Sequence, residues 1–489
     1  MVYDLLVIGG GIQGVAVARD AALRGLRVIL AERGDFASGT SSRSSKLIHG
    51  GIRYLETGQF RLVREALRER ALLLTLAPEY VRPLPFLIPH YAHEGRSRLT
   101  ISIGLKLYAA FAGRHHLEEH RFVDAAEALR LEPTLRAEGL RGASLYWDAQ
   151  MDDALLCVAV AVAADRAGAT LRSYTEVVAL GRESGAWRAR VRDADSGEEA
   201  VVEARVVVNA TGPWAEEVRG LAGATKGAGL RRTRGTHVVL PSLTHARALL
   251  LTARRDGRVF FVLPWGGYSL VGTTDVDDVT PPERIAATAE DIRYLVEEAS
   301  RVLPGLSRPV RAFAGLRSLA QGSPILPWAN SRELRIVEEG AMLTLLGGKF
   351  TTHRSLAERV VDRVVRILGA RAGRCVTGKT PLPSRAVAIE GFSVRYPARL
   401  PGSSEVSEAG VVQAIQNERA RHLEDVLERR TRLWLDGEAM RRAAGPVAAW
   451  MAPHLGWDEA TRAREVDRVT RALDRERELI DAALKGTSA

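Results

Sequence analysis

The residues best placed to do chemistry gather in a few short stretches of the chain. Gly9, Gly11 and Gly14 form a GxGxxG spacing between an apolar run, DLLVIG, and the helix-like GVAVARDAALRG. The first glycine permits a tight turn and the second lets backbone approach a pyrophosphate. The third lets the helix pack on its strand, and the helix N-terminus supplies a positive field. Glu32 ends the next apolar run, LRVILAE, 21 residues after Gly11. A carboxylate there accepts hydrogen bonds from two ribose hydroxyls and repels a 2′-phosphate, which disfavours NADP. Together these residues predict a dinucleotide site.

The segment after Glu32 separates NAD from FAD. RGDFASGTSSRSSKLIHGG is dense in Ser, Thr and Gly and has no helical period, where a simple NAD domain would continue into βα units. A long polar stretch suits the pyrophosphate and ribityl chain of FAD, which need many short donors. Candidate cofactor contacts here are Arg33, Thr40, Ser41, Ser42, Ser45, Lys46, Leu47, His49 and Gly50. A second close approach is expected at Gly212 in VVVNATGPW. A third is expected in LLGGKFTTHR, at Gly348, Lys349 and Thr351, where a helix start faces the N1–C2=O side of a flavin.

Basic residues beside these glycines suggest an anionic substrate. Arg53 and Tyr54 follow Gly50–Gly51, Arg317 follows Gly315, Arg332 lies in NSRELRI, and Lys349 follows a glycine pair. Fork-shaped guanidinium donors match a phosphate. With 63 Arg in the chain a single Arg carries little information, so position beside a glycine turn is what raises Arg53 and Arg317. Lysine is scarce, yet two of the six, Lys46 and Lys349, fall inside cofactor-like motifs. His237 in GTHVVLP is a candidate base, although histidines on strands more often serve structure. His90, His93, His115, His116 and His120 lack metal-ligand spacing, so no metal is expected. Neither a GxSxG elbow nor a Walker A motif occurs.

The elements needed to position these groups can be read from periodicity. Helices are expected over 60–77, 97–112, 153–168, 283–303 and 354–369, and strands in SYTEVVAL, THVVLP, RVFFVLPW, YSLVGTT and MLTLLGG. The three prolines between Val81 and Pro89 predict an extended or irregular segment. The expected fold is an α/β Rossmann-like FAD-binding domain with an antiparallel-sheet substrate domain and a helical C-terminal domain. Its parts are 1–90 and 146–232 for FAD, 91–145 as a helical or loop insertion, and 233–344 for substrate. Residues 345–375 return to the FAD domain, 376–403 form a linker and 404–489 the helical domain.

Composition bounds the rest. At 489 residues, 46% apolar and 26% charged, the chain is an ordinary globular protein of two or three domains. Cys157 and Cys375 lie far apart and outside any CxxC, which excludes a disulfide scaffold or zinc ribbon and fits a reducing compartment. The opening residues already read as a strand, so no secretory signal is expected. The longest apolar run, Ala154–Ala164, has eleven residues, about half a membrane span. The net charge of +10 fits anionic substrates, an anionic membrane surface or simple solubility. No nucleic-acid signature accompanies it.

With these motifs in place, the sequence resembles the FAD-dependent, respiratory-type glycerol-3-phosphate dehydrogenase family. The resemblance is carried by IGGGIQGVAVARDAALRG, TSSRSSKLIHGGIRYLE, FRLVREALRER, VNATGPWAE, RGTHVVLP, FVLPWGGYSLVGTTD and GGKFTTHRSLAE, with ERARHLEDVLERRTRLWL in the tail. It implies oxidation of glycerol 3-phosphate to dihydroxyacetone phosphate, with hydride passing from C2 to flavin N5. It also implies His237 as general base, Arg317 polarising the developing carbonyl, and Arg53, Tyr54, Arg332 and Lys349 binding substrate. Two positions depart from the family pattern, Ser318 after Arg317 and Leu334 after Glu333. The electron acceptor is expected to be membrane quinone, with oxygen or a partner subunit as alternatives. A flavin amine or amino-acid oxidase would share the fingerprint. The chain is expected in the cytoplasm, peripheral on the inner membrane, with a homodimer possible. Residues 96–116 suit either an anionic bilayer or packing on the FAD domain.

Overall fold

A computed structural model describes residues 1–92, 94–244, 246–320, 334–369, 371–402 and 405–485. The chain opens with a strand, Val2–Ile8, then a helix, Ile12–Leu23, and a second strand, Val28–Ala31, parallel to the first. The helix is buried almost all round because two further helices, Asp153–Arg166 and His353–Leu368, pack against it. Ala16, Ala18, Ala21 and Ala22 keep its surface thin enough for that sandwich. The apolar run Ala154–Ala164 therefore lies in a buried helix of 14 residues. Among the described residues no helix is long and apolar enough to cross a membrane.

These elements belong to an eight-stranded sheet whose parallel centre joins Met342–Leu346, Glu199–Asn209, Val2–Ile8, Val28–Ala31 and Thr170–Arg172. A hairpin, Thr175–Glu183 with Ala186–Asp193, pairs antiparallel with the first half of Glu199–Asn209. That strand's second half enters the parallel core, which is why its apolar pattern changes from alternating to continuous.

A second, ten-stranded sheet runs in the order Val276–Asp277, Leu230–Pro241, Tyr268–Gly272, Val259–Trp265, Ala248–Thr252, Val81–Tyr91, Leu140–Met151 and Leu47–Ile48. Arg311–Ala320 pairs with Leu230–Pro241, and Arg121–Val123 with Leu140–Met151. The proline-rich segment, expected as extended or irregular, is a regular strand. The expected boundaries of the parts change here: 81–91 and 140–151 belong to this sheet instead of to a cofactor part or an insertion. Pro83, Pro85 and Pro89 are spaced by even numbers, so their missing donors all fall on one strand edge. The ladder to Leu140–Met151 runs unbroken from Val81 to His90, so that edge is the opposite one, bonded only at Phe86 and Leu87.

The faces of this sheet divide cleanly. Leu87, Val238 and Leu240 pack toward the helix Ala289–Ser300 and the end of the last helix. Phe86, Ile88 and Val239 face the opposite way, toward Leu423, Val426, Trp434, Val447 and Met451 of the helical tail. That tail comprises Glu408–Gln416, Leu423–Arg429, Gly437–Leu455 and Glu459–Leu484. The stretch expected as a linker also holds a helix, Arg385–Ser393.

Candidate active site

Between the two sheets lies a cavity of about 1120 Å³. This exceeds the roughly 300–1,000 Å³ of ordinary small-molecule sites, as a long cofactor with a small substrate requires. One wall is the glycine loop. Gly9 has φ +105°, and a side chain on Gly14 would run into the Gly9 carbonyl. The helix that starts there has no side-chain cap and no acidic residue in its first turn. Its N-terminal field is thus directed at the cavity, as a pyrophosphate needs. Ser41 Oγ accepts from Ile12 N at 3.0 Å.

Glu32 lines the same wall. Its carboxylate accepts from Gly10 N at 2.5 Å and Gly34 N at 2.8 Å, and burial nonetheless raises its pKa. A carboxylate offers about four lone-pair positions, so capacity remains for ribose hydroxyls. Arg33 stacks 4.3 Å over the Trp214 ring. Gly212 and Gly348 line the cavity with positive φ, and Gln13 Nε2 ties the first glycine loop to the last by donating to Gly347 O at 2.7 Å. These features fit FAD: a bare helix terminus, glycine-lined approaches at three strand ends, and a polar wall of suitable length.

Basic residues expected to meet substrate share this cavity. Arg53, Tyr54, Lys349, Arg317 and His237, from four separate segments, all line the cavity. Lys349 Nζ sits 3.6 Å from the Tyr54 ring centroid, and Arg53 is exposed. Arg317 donates to Thr274 O at 3.1 Å, Asp275 Oδ1 at 3.0 Å and Thr273 Oγ1 at 2.8 Å. His237 is 2% exposed, stacks on Phe313 at 5.2 Å, and shares a 2.9 Å hydrogen bond between Nε2 and Ser45 Oγ. Its Nδ1 is enclosed and has no hydrogen-bond partner among the described residues. An imidazolium would need an acceptor at both nitrogens. Burial, then Arg317 and Lys46, accordingly push this histidine well below the ordinary range, and it stands neutral.

Several expected cofactor residues sit elsewhere. Lys46 does not line the cavity: its ammonium pairs with Asp153 and donates to Ser42 O at 2.7 Å, behind the wall. Ser42 supplies that carbonyl and likewise does not line the cavity. Gly50 is also one layer back, its N–H donating to Tyr108 Oη at 2.7 Å. Tyr108 in turn donates to Asp148, which pairs with Arg70. Gly14 acts by close packing alone. Thr40, Ser41, Ser45, Leu47, His49 and Thr351 do line it, Thr40 donating to Leu316 O at 2.6 Å. Arg332 lies outside the described residues, while Ser318 lines the cavity and Leu334 packs on the core of the cofactor-binding sheet.

Gln13, Arg43, Trp214 and Phe261 also line the cavity and were not singled out from sequence. Gln13 carried a usable signal, being a polar side chain inside GxGxxG. Arg43 had none beyond its polar stretch in a chain so rich in arginine. Among the described residues no cluster suited to a metal ion occurs.

Comparison with known proteins agrees with this geometry. The family model described as FAD dependent oxidoreductase matches residues 4–354, and one described as the C-terminal domain of alpha-glycerophosphate oxidase matches 339–462. Glycerol-3-phosphate dehydrogenase 2 of Mycobacterium tuberculosis is 38% identical over 95% of this chain and 87% of its own. D-erythritol 1-phosphate dehydrogenase of Brucella abortus is 36% identical over 90% of this chain and 96% of its own. The X-ray structure of glycerol-3-phosphate dehydrogenase from Bacillus halodurans complexed with FAD superposes with a TM-score of 0.78 at 25% identity, covering 96% of this chain and 94% of that one.

Proposed function

Because the chain belongs to the FAD-dependent glycerol-3-phosphate dehydrogenase and oxidase family, we propose that it oxidises glycerol 3-phosphate to dihydroxyacetone phosphate and passes the electrons to a membrane quinone. The observation that carries this reading is the meeting of His237, Arg317, Arg53 and Lys349 in one cavity with the glycine-rich wall. When bound, FAD supplies the hydride acceptor. The phosphate dianion is held by Arg53 and Lys349, with Tyr54 backing the lysine. Arg317, braced by Thr273 and Asp275, would stabilise the charge that develops on the C2 oxygen.

His237 takes the C2 hydroxyl proton at Nε2, directly or along the Ser45 hydroxyl. Its depressed pKa makes it a weak base in the empty cavity. Entry of a dianion offsets the field of Arg317 and Lys46 and strengthens it, and the hydroxyl becomes acidic as the hydride leaves. Proton and hydride transfer are therefore coupled in time.

The acceptor reading rests on the helix Arg98–Ala112. Its Thr100, Ile101 and Gly104 line the cavity, while Leu99 and Ile103 are 70% and 58% exposed, with Arg96, Arg98 and Lys106 nearby in sequence. Apolar tips with basic flanks suit the face of an anionic bilayer. Docking there would bring the cavity to lipid-dissolved quinone at the cytoplasmic surface.

Anaerobic mixing of the yellow protein with glycerol 3-phosphate tests the first half-reaction. Rapid bleaching of the flavin is expected, with D-erythritol 1-phosphate as the competing substrate. Slow recovery of colour in air but fast recovery with a short-chain quinone supports the dehydrogenase. Fast recovery in air makes it an oxidase, and no bleaching removes the substrate assignment.

A further inference from the structure

The wall that carries Glu32, the residue expected to meet the cofactor's ribose, alternates between cavity and interior. Glu32, Arg33 and Gly34 line the cavity, and so do Ser38 through Ser41, but Asp35, Phe36 and Ala37 between them turn inward and are each 1% exposed. Asp35 is the pivot of this turn. Its carboxylate accepts from Arg429 Nε at 2.5 Å, from Arg430 Nη2 at 2.7 Å and from Arg430 Nη1. Both arginines come from the helical tail, nearly 400 residues away in sequence. The Asp35 and Arg430 side chains are fully buried, and Arg429 also donates to Asp425 Oδ1 at 2.6 Å.

A second line runs from the same helix to the same wall. Tyr174 Oη donates to Asp425 at 2.6 Å, and Tyr174 N donates to Gly34 O at 2.9 Å. Thr175 N then donates to Glu32 O at 2.7 Å, and Thr175 itself lines the cavity. Two connections, joined to each other at Asp425, thus reach the Glu32–Asp35 segment.

We propose that the helical tail is a cofactor-retention element, with Arg430, Arg429 and Asp425 as positioning residues that hold the FAD-binding wall through Asp35 and Tyr174. The inference rests on the FAD reading of the glycine-rich wall. A buried ion pair in water-excluded surroundings holds one geometry strongly, because moving either partner leaves an uncompensated charge. That rigidity is what a site needs in order to bind without first paying an ordering cost.

The test is FAD affinity of the apoprotein, read by flavin fluorescence, together with thermal midpoints of apo and holo forms. Arg430→Gln is expected to raise the Kd at least about tenfold, and Tyr174→Phe, which removes one hydroxyl, about threefold. Arg430→Lys, which keeps the charge, is expected between them. The gap between holo and apo midpoints should narrow in step, since that gap reports ligand affinity. If Arg430→Gln fails to fold, Tyr174→Phe and Arg430→Lys still decide. Equal loss of stability in apo and holo forms with unchanged Kd would make the cluster a simple brace and overturn the proposal. Wild-type apoprotein that takes up no FAD would overturn the cofactor reading itself.

Discussion

His237 illustrates how burial and charge can set a side chain's role before any ligand arrives. Its ring is enclosed by Phe313 and protein atoms at Nδ1, and it is tied at Nε2 to Ser45. With His237 as the proposed base, replacing it with Asn should lower kcat by about 10²–10⁴ while FAD content stays near one per chain, because the substitution removes proton transfer alone. Steady-state kinetics with flavin absorbance checks this, and an unchanged kcat would take His237 out of the base role. Arg53 should behave differently. It is exposed, and on the proposed reading it meets the phosphate in both ground and transition states, so Arg53→Ala should raise KM about 10- to 100-fold with a smaller change in kcat. Lys46 shows the limit of residue-scale reading. Its scarcity marked it as special, and it is, but as the buried partner of Asp153 behind the wall.

At the scale of elements, the helix Ile12–Leu23 has to satisfy two neighbours at once. It must bring its N-terminus to the cavity and press closely on the strand below, and Gly14 is where the second demand is met. Gly14→Ala should therefore yield protein without flavin, measurable as the ratio of 450 to 280 nm absorbance after purification. The helix Arg98–Ala112 has the opposite character, with one side on the cavity and Leu99 and Ile103 in water. Leu99→Asp with Ile103→Asp should abolish sedimentation with anionic vesicles and leave flavin content intact. Wild type that does not sediment would make this helix a packing element only.

Across the whole molecule, the helical tail is joined to the rest by charge as much as by apolar packing. Arg311 bonds Glu428 and Glu476, Arg429 and Arg430 hold Asp35, and His422 bridges Glu465 and Asp195 at 3.0 Å each. Both nitrogens of His422 meet carboxylates, so the bridge requires the imidazolium. Although burial opposes it, Glu465 and Asp425 together raise this histidine above its ordinary value. A raised folded pKa means stability that is complete below about 6.5 and lost as pH rises through the folded value. The midpoint difference between wild type and His422→Gln should thus be largest near pH 6, about 2 °C, and shrink toward pH 9. Using the difference cancels His90, His120, His237 and His353, whose pKa values are lowered and whose effect has the opposite sign.

What the sequence determined by itself was local. GxGxxG, Glu32 and the Ser/Thr-rich stretch announce a cofactor wall because turn geometry, helix termini and short donors act over a few residues. The parallel core, the main helices and the basic residues near glycines were legible for the same reason. Only tertiary structure decided which of those residues face the cavity, since alternation along an irregular stretch sends Ser45 inward to His237 and Lys46 back to Asp153. Nor could periodicity show that 81–91 lies inside the second sheet, because prolines are tolerated there only while the long ladder uses the other strand edge. The link from Arg430 to Asp35 was equally hidden: a buried ion pair across nearly 400 residues exists only once both partners are packed out of water.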